Sequence, residues 1–311
     1  MIRRWVRVLL CMFACGLLVT GCKSYKEQEK ELPDTYKRGT IRVSADESFK
    51  PIIDAQVQVY ESNHPGTKIV VDYKPEADCL RDMLVDSVRM VIATRKPSAA
   101  EKEAVSDSLK VGVEDLVVAR DAVAVIVNPQ SEDSFFTMKE IKAILRGNFN
   151  KNLIPVFDGV KATSTIRFII DSILHGDTLT SKAVAARSSE EVIEYIARTP
   201  GAVGFIGVSW VGNKDDAAQL GFLKRVKMAN IESAYLPGKY VLPYQVNIYD
   251  RNYPMVRDLV YILKESHKGL GHGFGDFMAG ERGQLIFKRA YLMPALRDFI
   301  LRKAELRDEA L

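Results

Sequence analysis

The sequence has too few cysteines and histidines for a disulfide-stapled or zinc-binding domain. It contains four of each in 311 residues. Three cysteines, at positions 11, 15 and 22, lie at the amino terminus, so Cys79 has no partner for a disulfide within the rest of the chain. That part of the chain also offers no cysteine pair that could complete a zinc site with the histidines. The sequence therefore predicts neither a metal site nor a cofactor.

An excess of charge of one sign is also lacking. The chain has 44 basic and 40 acidic residues, and three of the basic ones are arginines at positions 3, 4 and 7, in a segment without acids. A nucleic-acid binder needs a basic face, and this nearly neutral chain has no surplus to build one. Hydrophobic residues at 47% and charged residues at 27% fit a soluble globular protein of about two domains.

The apolar run at the amino terminus, residues 8–19, is too short to span a bilayer, which needs about 20 residues. Behind three arginines it has the layout of a secretory signal peptide, predicted over residues 1–21. The run ends in LVTGC at 18–22, which resembles the lipobox of bacterial lipoproteins, in which Cys22 becomes the lipid-modified first residue. The alternative is an ordinary signal with a chance cysteine. The polar residues 22–38 are predicted to be a flexible tether.

Motifs of common hydrolases and nucleotide-binding enzymes are missing. The chain has no G-x-S-x-G elbow, no P-loop and no H-E-x-x-H pair. The glycine-rich segment at 269–275 lacks dinucleotide-binding spacing, and we expect it to be a turn between helices. The sequence predicts a protein that is not an enzyme.

The body of the chain alternates strand-like and amphipathic segments, which is typical of α/β lobes. Residues 241–248 are followed by apolar residues spaced as in a helix, and this spacing predicts a helix over 256–263. Three S/T-x-x-E capping boxes mark further helix starts, namely Ser98 with Glu101, Thr137 with Glu140, and Ser188 with Glu191.

Three segments at predicted strand ends have the chemistry of an anion site. Residues 163–167 begin a helix with three hydroxyl side chains and Arg167; a helix N-terminus and a guanidinium both favour a tetrahedral oxyanion. Residues 44–49 start a similar helix, and residues 92–97 form a cationic turn with Arg95. Ligands bind beyond the carboxyl ends of strands in such sheets. The alternative is that these are ordinary helix caps and solvated charges.

Five longer segments, in order, carry a resemblance to a known family. They are AVAVIVNP at 122–129, FTMKEIKAILRG at 136–147, TPGAVGFIG at 199–207, NYPMVR at 252–257, and GFGDFMAGERGQ at 273–284 with LMP behind it at 292–294. Together they resemble the phosphate-binding proteins of bacterial ABC transporters in their lipoprotein form, over about residues 40–294.

The resemblance implies a fold and a function. The fold is the α/β, two-lobed periplasmic-binding-protein type II fold with a two-strand hinge. Lobe one would comprise 39–127 plus 246–311, and lobe two 128–245. The function is capture of inorganic phosphate in the interlobe cleft and its delivery to the subunits of an ABC permease. The protein would be a monomer in the cell envelope, lipid-anchored to a bacterial membrane and facing the periplasm or exterior.

The resemblance also implies ligand residues. They fall on four loops, which contain Ser48 and Phe49; Asp78 within 76–79; Thr94 and Arg95; and Thr163, Ser164 and Thr165, with Arg167 as an added cation.

Three departures from the family keep the ligand open. The second loop, at 76–79, contains Asp78, which is an unusual neighbour for an anion. Thr94 and Arg95 stand where well-studied members place a serine and the aspartate that accepts the proton of hydrogen phosphate. Gly159 stands where they carry an arginine. We expect Asp46, Glu47 or Asp78 to take over the acceptor role, or discrimination against sulfate to weaken. Binding of another tetrahedral oxyanion, phosphate sensing and hydrolysis of phosphate esters at the cell surface are the alternatives.

Overall fold

The computed structural model describes residues 32–159, 163–213 and 216–296. The predicted signal peptide, Cys22 and the tether up to residue 31 lie outside these ranges. Ala162, on which the resemblance places the start of the family's Gly-Ser-Gly-Thr loop, also lies outside them. Within them, no helix is long and apolar enough to cross a membrane.

Strands and helices alternate along most of the chain, which confirms the predicted α/β class. The strands are β1 (Gly39–Asp46), β2 (Thr67–Lys74), β3 (Val88–Ala93), β4 (Glu114–Val127), β5 (Phe135–Phe136), β6 (Ile154–Asp158), β7 (Val184–Ala186), β8 (Ala202–Gly207), β9 (Lys227–Met228), β10 (Asn230–Glu232), β11 (Tyr240–Val241), β12 (Val256–Leu263) and β13 (Met293–Pro294). The helices are α1 (Lys50–Asn63), α2 (Glu76–Arg81), α3 (Ala99–Leu109), α4 (Met138–Arg146), α5 (Ser164–Phe168), α6 (Ser189–Arg198), α7 (Ala217–Leu223), α8 (Gln245–Tyr249), α9 (Leu270–Ala279) and α10 (Glu281–Arg289).

One long strand links the two halves of the main sheet, whose order is β2-β1-β3-β12-β4-β8-β6-β7. Residues 114–122 of β4 pair with β12, and residues 123–127 pair with β8. We call the half that contains β1, β2, β3 and β12 the first lobe, and the half that contains β6, β7 and β8 the second. Because β1 and β6 both run toward the junction, their carboxyl ends face one another there.

Close packing holds helix α6 against the second lobe. A Cβ at Gly204 of β8 would lie 2.7–2.9 Å from the side chains of Ile126, Val192 and Ile196. Phe157 and Phe205, on neighbouring strands, stack with their ring centroids 5.0 Å apart. A close-packed core of this kind fixes the end of β6, which carries part of the site.

Two local predictions are wrong. Residues 256–263 form strand β12 instead of a helix, since β12 lies between β3 and β4 and is buried along most of its length. A strand covered on both faces has nearly continuous apolar residues, which helical spacing also fits. Residues 270–275 belong to helix α9 instead of a turn. Its glycines permit close packing, because a Cβ at Gly273 would lie 2.4 Å from the carbonyl oxygen of Tyr36.

Candidate functional site

Buried hydroxyl groups meet where the carboxyl ends of β1 and β6 face each other. Ser48 lies in the short 3₁₀ turn after β1, and Ser164 and Thr165 begin helix α5. All three are fully buried, and the Ser48 and Ser164 hydroxyl oxygens are 3.3 Å apart across the junction. Such hydroxyls can both donate and accept hydrogen bonds. We call these residues, together with Asp46, Asp121, Asp158 and Arg257, the interlobe cluster.

Arg257 brings a cation into the cluster from β12. Its Nε donates to Asp121 Oδ2 at 2.8 Å, and its Nη1 donates to Ser164 Oγ at 2.9 Å and to Thr165 Oγ1 at 3.3 Å. Arg257 is 4% exposed, yet its Nη2 has no hydrogen-bond partner among the described residues. The cluster therefore has an unused hydrogen-bond donor. Leaving a buried guanidinium nitrogen without a partner costs free energy, which a bound acceptor would recover.

The sheet register explains why Arg257 reaches this point. Arg257 lies directly opposite Asp121 in the antiparallel pair of β12 and β4. Gly207, at the end of β8, leaves room for the guanidinium, because a Cβ there would lie 3.2 Å from Nη2. The ring of Phe49 lies 5.1 Å from the guanidinium carbon and covers it from the first lobe.

Two further buried carboxyls face the hydroxyls. Asp46 Oδ1 accepts from the Ser48 backbone N–H at 2.8 Å, and Asp158 Oδ2 accepts from Ser189 Oγ at 2.9 Å. Burial, reinforced by the charge of Glu76, raises the pKa of Asp46 to about 6. Burial likewise raises the pKa of Asp158. The cluster thus contains carboxyls that resist ionisation, beside one cation.

Glu47 stands at the edge of this group. Burial, with the charges of Asp158 and Asp46, raises the pKa of Glu47 to about 7. Its Oε1 lies 3.8 Å from the position that a Cβ on Gly159 would take, so the side chain reaches toward the second lobe.

The second lobe also fixes the loop that carries Ser48. The Ser209 hydroxyl and the Trp210 indole N–H both donate to the Ser48 carbonyl oxygen, at 3.1 and 2.9 Å. Thr163 caps α5 by accepting from the Ile166 N–H. The predicted helix start at residues 163–167 is therefore confirmed, and it lies beside Ser48.

Arg167 lies on α5 but binds a carboxylate of the first lobe. Its Nε donates to Oε2 of Glu76 at 2.5 Å, and its Nη2 donates to Thr94 Oγ1 at 2.5 Å. Glu76 is 1% exposed and also accepts from the Thr94 N–H. Although burial opposes ionisation, the contact with Arg167 holds the pKa of Glu76 below its usual value. We call Glu76, Thr94 and Arg167 the interlobe latch.

The other two predicted polar residues have partners away from the cluster. Both Nη atoms of Arg95 donate to the Glu101 carboxylate, at 2.6 and 2.8 Å. Asp78 pairs with Arg81, an exposed residue three positions later on α2. Neither side chain contacts Ser48, Ser164 or Thr165.

Sequence patterns missed Arg257, Asp121 and Asp158. The sequence did contain a signal for them, because each of these charged residues lies within or at the end of a largely apolar strand. Opposite charges on two such strands can form an ion pair when the strands lie side by side, as Arg257 and Asp121 do. Within the described residues, no group of three or more metal-ligating side chains is arranged to hold an ion. The cluster instead offers a guanidinium, hydroxyls and carboxyls, which together suit an oxyanion that also carries hydrogens.

Comparisons with known proteins point to one family. A profile of the PBP superfamily domain matches residues 33–282. The phosphate-binding protein PstS of Borreliella burgdorferi is 20% identical over 295 residues, which cover 90% of this chain and 94% of that protein.

Two solved structures have a similar fold. One is a Clostridium perfringens protein assigned as a phosphate ABC transporter substrate-binding protein, with bound phosphate (TM-score 0.68, 18% identity, 83% of this chain and 100% of that one). The other is an ABC-type phosphate transport receptor from Vibrio cholerae (TM-score 0.62, 16% identity, 82% and 100%). The predicted two-lobed fold is thus confirmed, and the chain belongs to the PBP superfamily.

Proposed function

We propose that this protein captures inorganic phosphate between its lobes and delivers it to an ABC permease, as a lipid-anchored protein of the bacterial cell envelope. The observation that carries the binding role is Arg257 Nη2, a buried guanidinium nitrogen without a partner among the described residues. It lies in a cluster of hydroxyls from both lobes. The family and the phosphate-binding relatives support the choice of ligand.

Each part of the cluster has a role in this proposal. The Arg257 fork donates to phosphate oxygens. The hydroxyls of Ser48, Ser164 and Thr165 complete the shell, and backbone N–H groups at Phe49 and after Thr163 add donors. Binding closes the lobes, whose boundaries we place near residues 127 and 246, by hinge motion.

The remaining predicted residues lie around this shell. Arg167 and Thr94 close the cleft through Glu76, while Arg95 and Asp78 are proposed to shape the electrostatic field at its rim. A guanidinium and hydroxyls also fit other tetrahedral oxyanions, so arsenate, sulfate and molybdate are the competing ligands.

Calorimetric titration of the purified full-length protein tests the binding role. We expect phosphate to bind, and Ser164→Ala to weaken binding about tenfold or more by removing a charge-assisted hydrogen bond. Arg257→Gln should abolish binding, whereas Arg95→Gln, which breaks an ion pair outside the cluster, should change it little. Equal loss in the Arg95 and Arg257 variants, with folding checked by circular dichroism, would contradict the assignment of the cluster.

The proposed anchor has a separate test. Cys22→Ser should release the protein from membranes and leave its fold and phosphate affinity unchanged. Metabolic labelling with a fatty acid checks this, and undiminished label in the variant would rule out lipidation at Cys22.

A further inference from the structure

An apolar cavity lies beside the interlobe latch, apart from the cluster that is proposed to hold phosphate. It occupies about 420 Å³ between helices α2 and α3, a volume in the range of small-molecule sites. The interlobe cluster, all of whose residues the structure describes, contributes nothing to its wall. The apolar part of that wall consists of Ala77, Leu80, Met83, Leu84, Ala104 and Val105.

Small side chains on α3 leave this space open. Helix α3 faces α2 with Ala104, whose methyl group is too short to fill the gap, and the buried residue of α3 is Val105. Leu84, at the end of the 3₁₀ turn Asp82–Leu84 that follows α2, borders the same gap and is 51% exposed. Exposed apolar surface gains free energy when an apolar group covers it. The cavity is therefore suited to an apolar chain.

Two arginines from different lobes also line the cavity, Arg95 from the first lobe and Arg167 from the second. The hydrogen bonds with Glu101 raise the pKa of Arg95, and so does the nearby charge of Glu76, which Arg167 also contacts. The two guanidiniums thus lie around the same carboxylate, and we call them the polar end of the cavity. A third arginine in the lining, Arg81, is largely exposed.

The polar end has unused donors, whereas its carboxylates are already engaged. Glu76 accepts four hydrogen bonds and Glu101 accepts three. A guanidinium has five N–H groups. Among the described residues, Arg95 makes three hydrogen bonds and its Nε has no acceptor. On Arg167, Nη1 has a single contact, at 3.5 Å, with the exposed Asp171. A ligand at this end must therefore accept hydrogen bonds.

The charges at the polar end favour a head group with one negative charge. Guanidiniums bind anions, but the carboxylates of Glu76 and Glu101 repel a dianion more strongly than a monoanion. We propose that the cavity binds a small organic carboxylate, with its head group on the two arginines and its apolar chain between α2 and α3.

Such a ligand also favours closure of the lobes. Arg167 comes from the second lobe, whereas the rest of the lining belongs to the first, so the complete site exists when the lobes are together. Two ligands that favour the same conformation raise each other's affinity. The carboxylate should therefore tighten phosphate binding, a consequence that rests on the phosphate-binding function proposed above.

Calorimetric titration of the purified full-length protein with octanoate tests the site. We expect octanoate to bind at one site per chain. Acetate lacks the apolar chain and 1-octanol lacks the charge, so each should bind at least about tenfold more weakly than octanoate.

Variants locate the bound octanoate. Ala104→Leu places a larger side chain in the cavity without disfavouring the helix, and it should abolish octanoate binding. Arg95→Gln should weaken octanoate binding about tenfold by removing a charge-assisted hydrogen bond. Ser106→Leu is the matched control, because Ser106 is an exposed residue of α3 outside the cavity wall, and it should bind octanoate as the parent does. Circular dichroism checks that each variant folds.

The outcomes separate this proposal from the proposed function. Unchanged octanoate binding in Ala104→Leu, or 1-octanol that binds as tightly as octanoate, would overturn the carboxylate site. Saturating octanoate should raise phosphate affinity about fivefold or more in the parent and leave it unchanged in Ala104→Leu. An unchanged phosphate affinity in the parent would overturn the coupling to closure. Absence of phosphate binding with and without octanoate, while octanoate binds as expected, would overturn the proposed function alone.

Discussion

Arg257 lies near the start of a largely apolar strand, next to a second charge at Asp258, and its position explains why spacing rules overlooked it. It follows Val256 in β12 and faces Asp121, which directly precedes the apolar second half of β4. Each residue alone resembles an ordinary surface charge. Their meaning depends on the pairing of two strands that are more than a hundred residues apart in the chain, and local sequence does not encode that pairing.

The same pair gives a prediction for stability. Arg257→Met leaves Asp121 buried without its cation, which should lower the free energy of unfolding by about 3–5 kcal/mol. Adding Asp121→Asn should recover much of that loss, because no buried charge is then unpaired. Urea denaturation measures both variants.

An exposed pair supplies the comparison. Arg95 and Glu101 are each about one-third exposed, so Arg95→Met should change stability by about 1 kcal/mol or less. If Arg257→Met also changed the free energy of unfolding by only about 1 kcal/mol, the result would contradict the prediction that Arg257 and Asp121 form a buried ion pair.

At the scale of helices and strands, the confirmed predictions are helix starts, which are determined by residues close to one another in the chain. Ser98 and Thr137 form complete capping boxes with the glutamates three residues later. At Ser188 the box is half formed, because the Glu191 carboxylate accepts from the Arg187 N–H instead. Caps are local and therefore predictable. The wrong prediction for β12 concerned a segment whose state is set by the strands on either side.

The contact between α5 and α2 gives a prediction for binding. Arg167→Ala should weaken phosphate binding at least about tenfold, since the closed lobes lose a charge-assisted contact. Helix α5 should stay folded because its apolar face is unchanged. Titration calorimetry measures the loss, and Arg187→Ala, which breaks an exposed pair with Glu191 in the second lobe, is the control.

Glu76→Gln decides how Arg167 acts. If Arg167 works through Glu76, this variant weakens phosphate binding as Arg167→Ala does. If Arg167 instead touches the anion directly, Glu76→Gln frees its guanidinium and leaves affinity equal or higher. The second result would contradict the latch.

At the scale of the whole molecule, the resemblance to a family predicted the two-lobed fold. Length and composition indicated only about two domains, and the alternation of strand-like and amphipathic segments indicated only their α/β class. The chain places the helix start at Ser164 beside Ser48, as the family's loops implied. The cation differs from expectation, because Arg167 and Arg95 are held by carboxylates while Arg257 enters the junction from β12. Which cation reaches the junction depends on which ion pairs form in the folded protein, and the sequence does not specify these pairs.

A crystal structure of the full-length protein grown with inorganic phosphate tests the central claim most directly. We predict one phosphate between the lobes, with an oxygen accepting from Arg257 Nη2 and others contacting Ser48 and Ser164. A phosphate held instead by Arg95 or Arg167, with the interlobe cluster unchanged, would contradict the account.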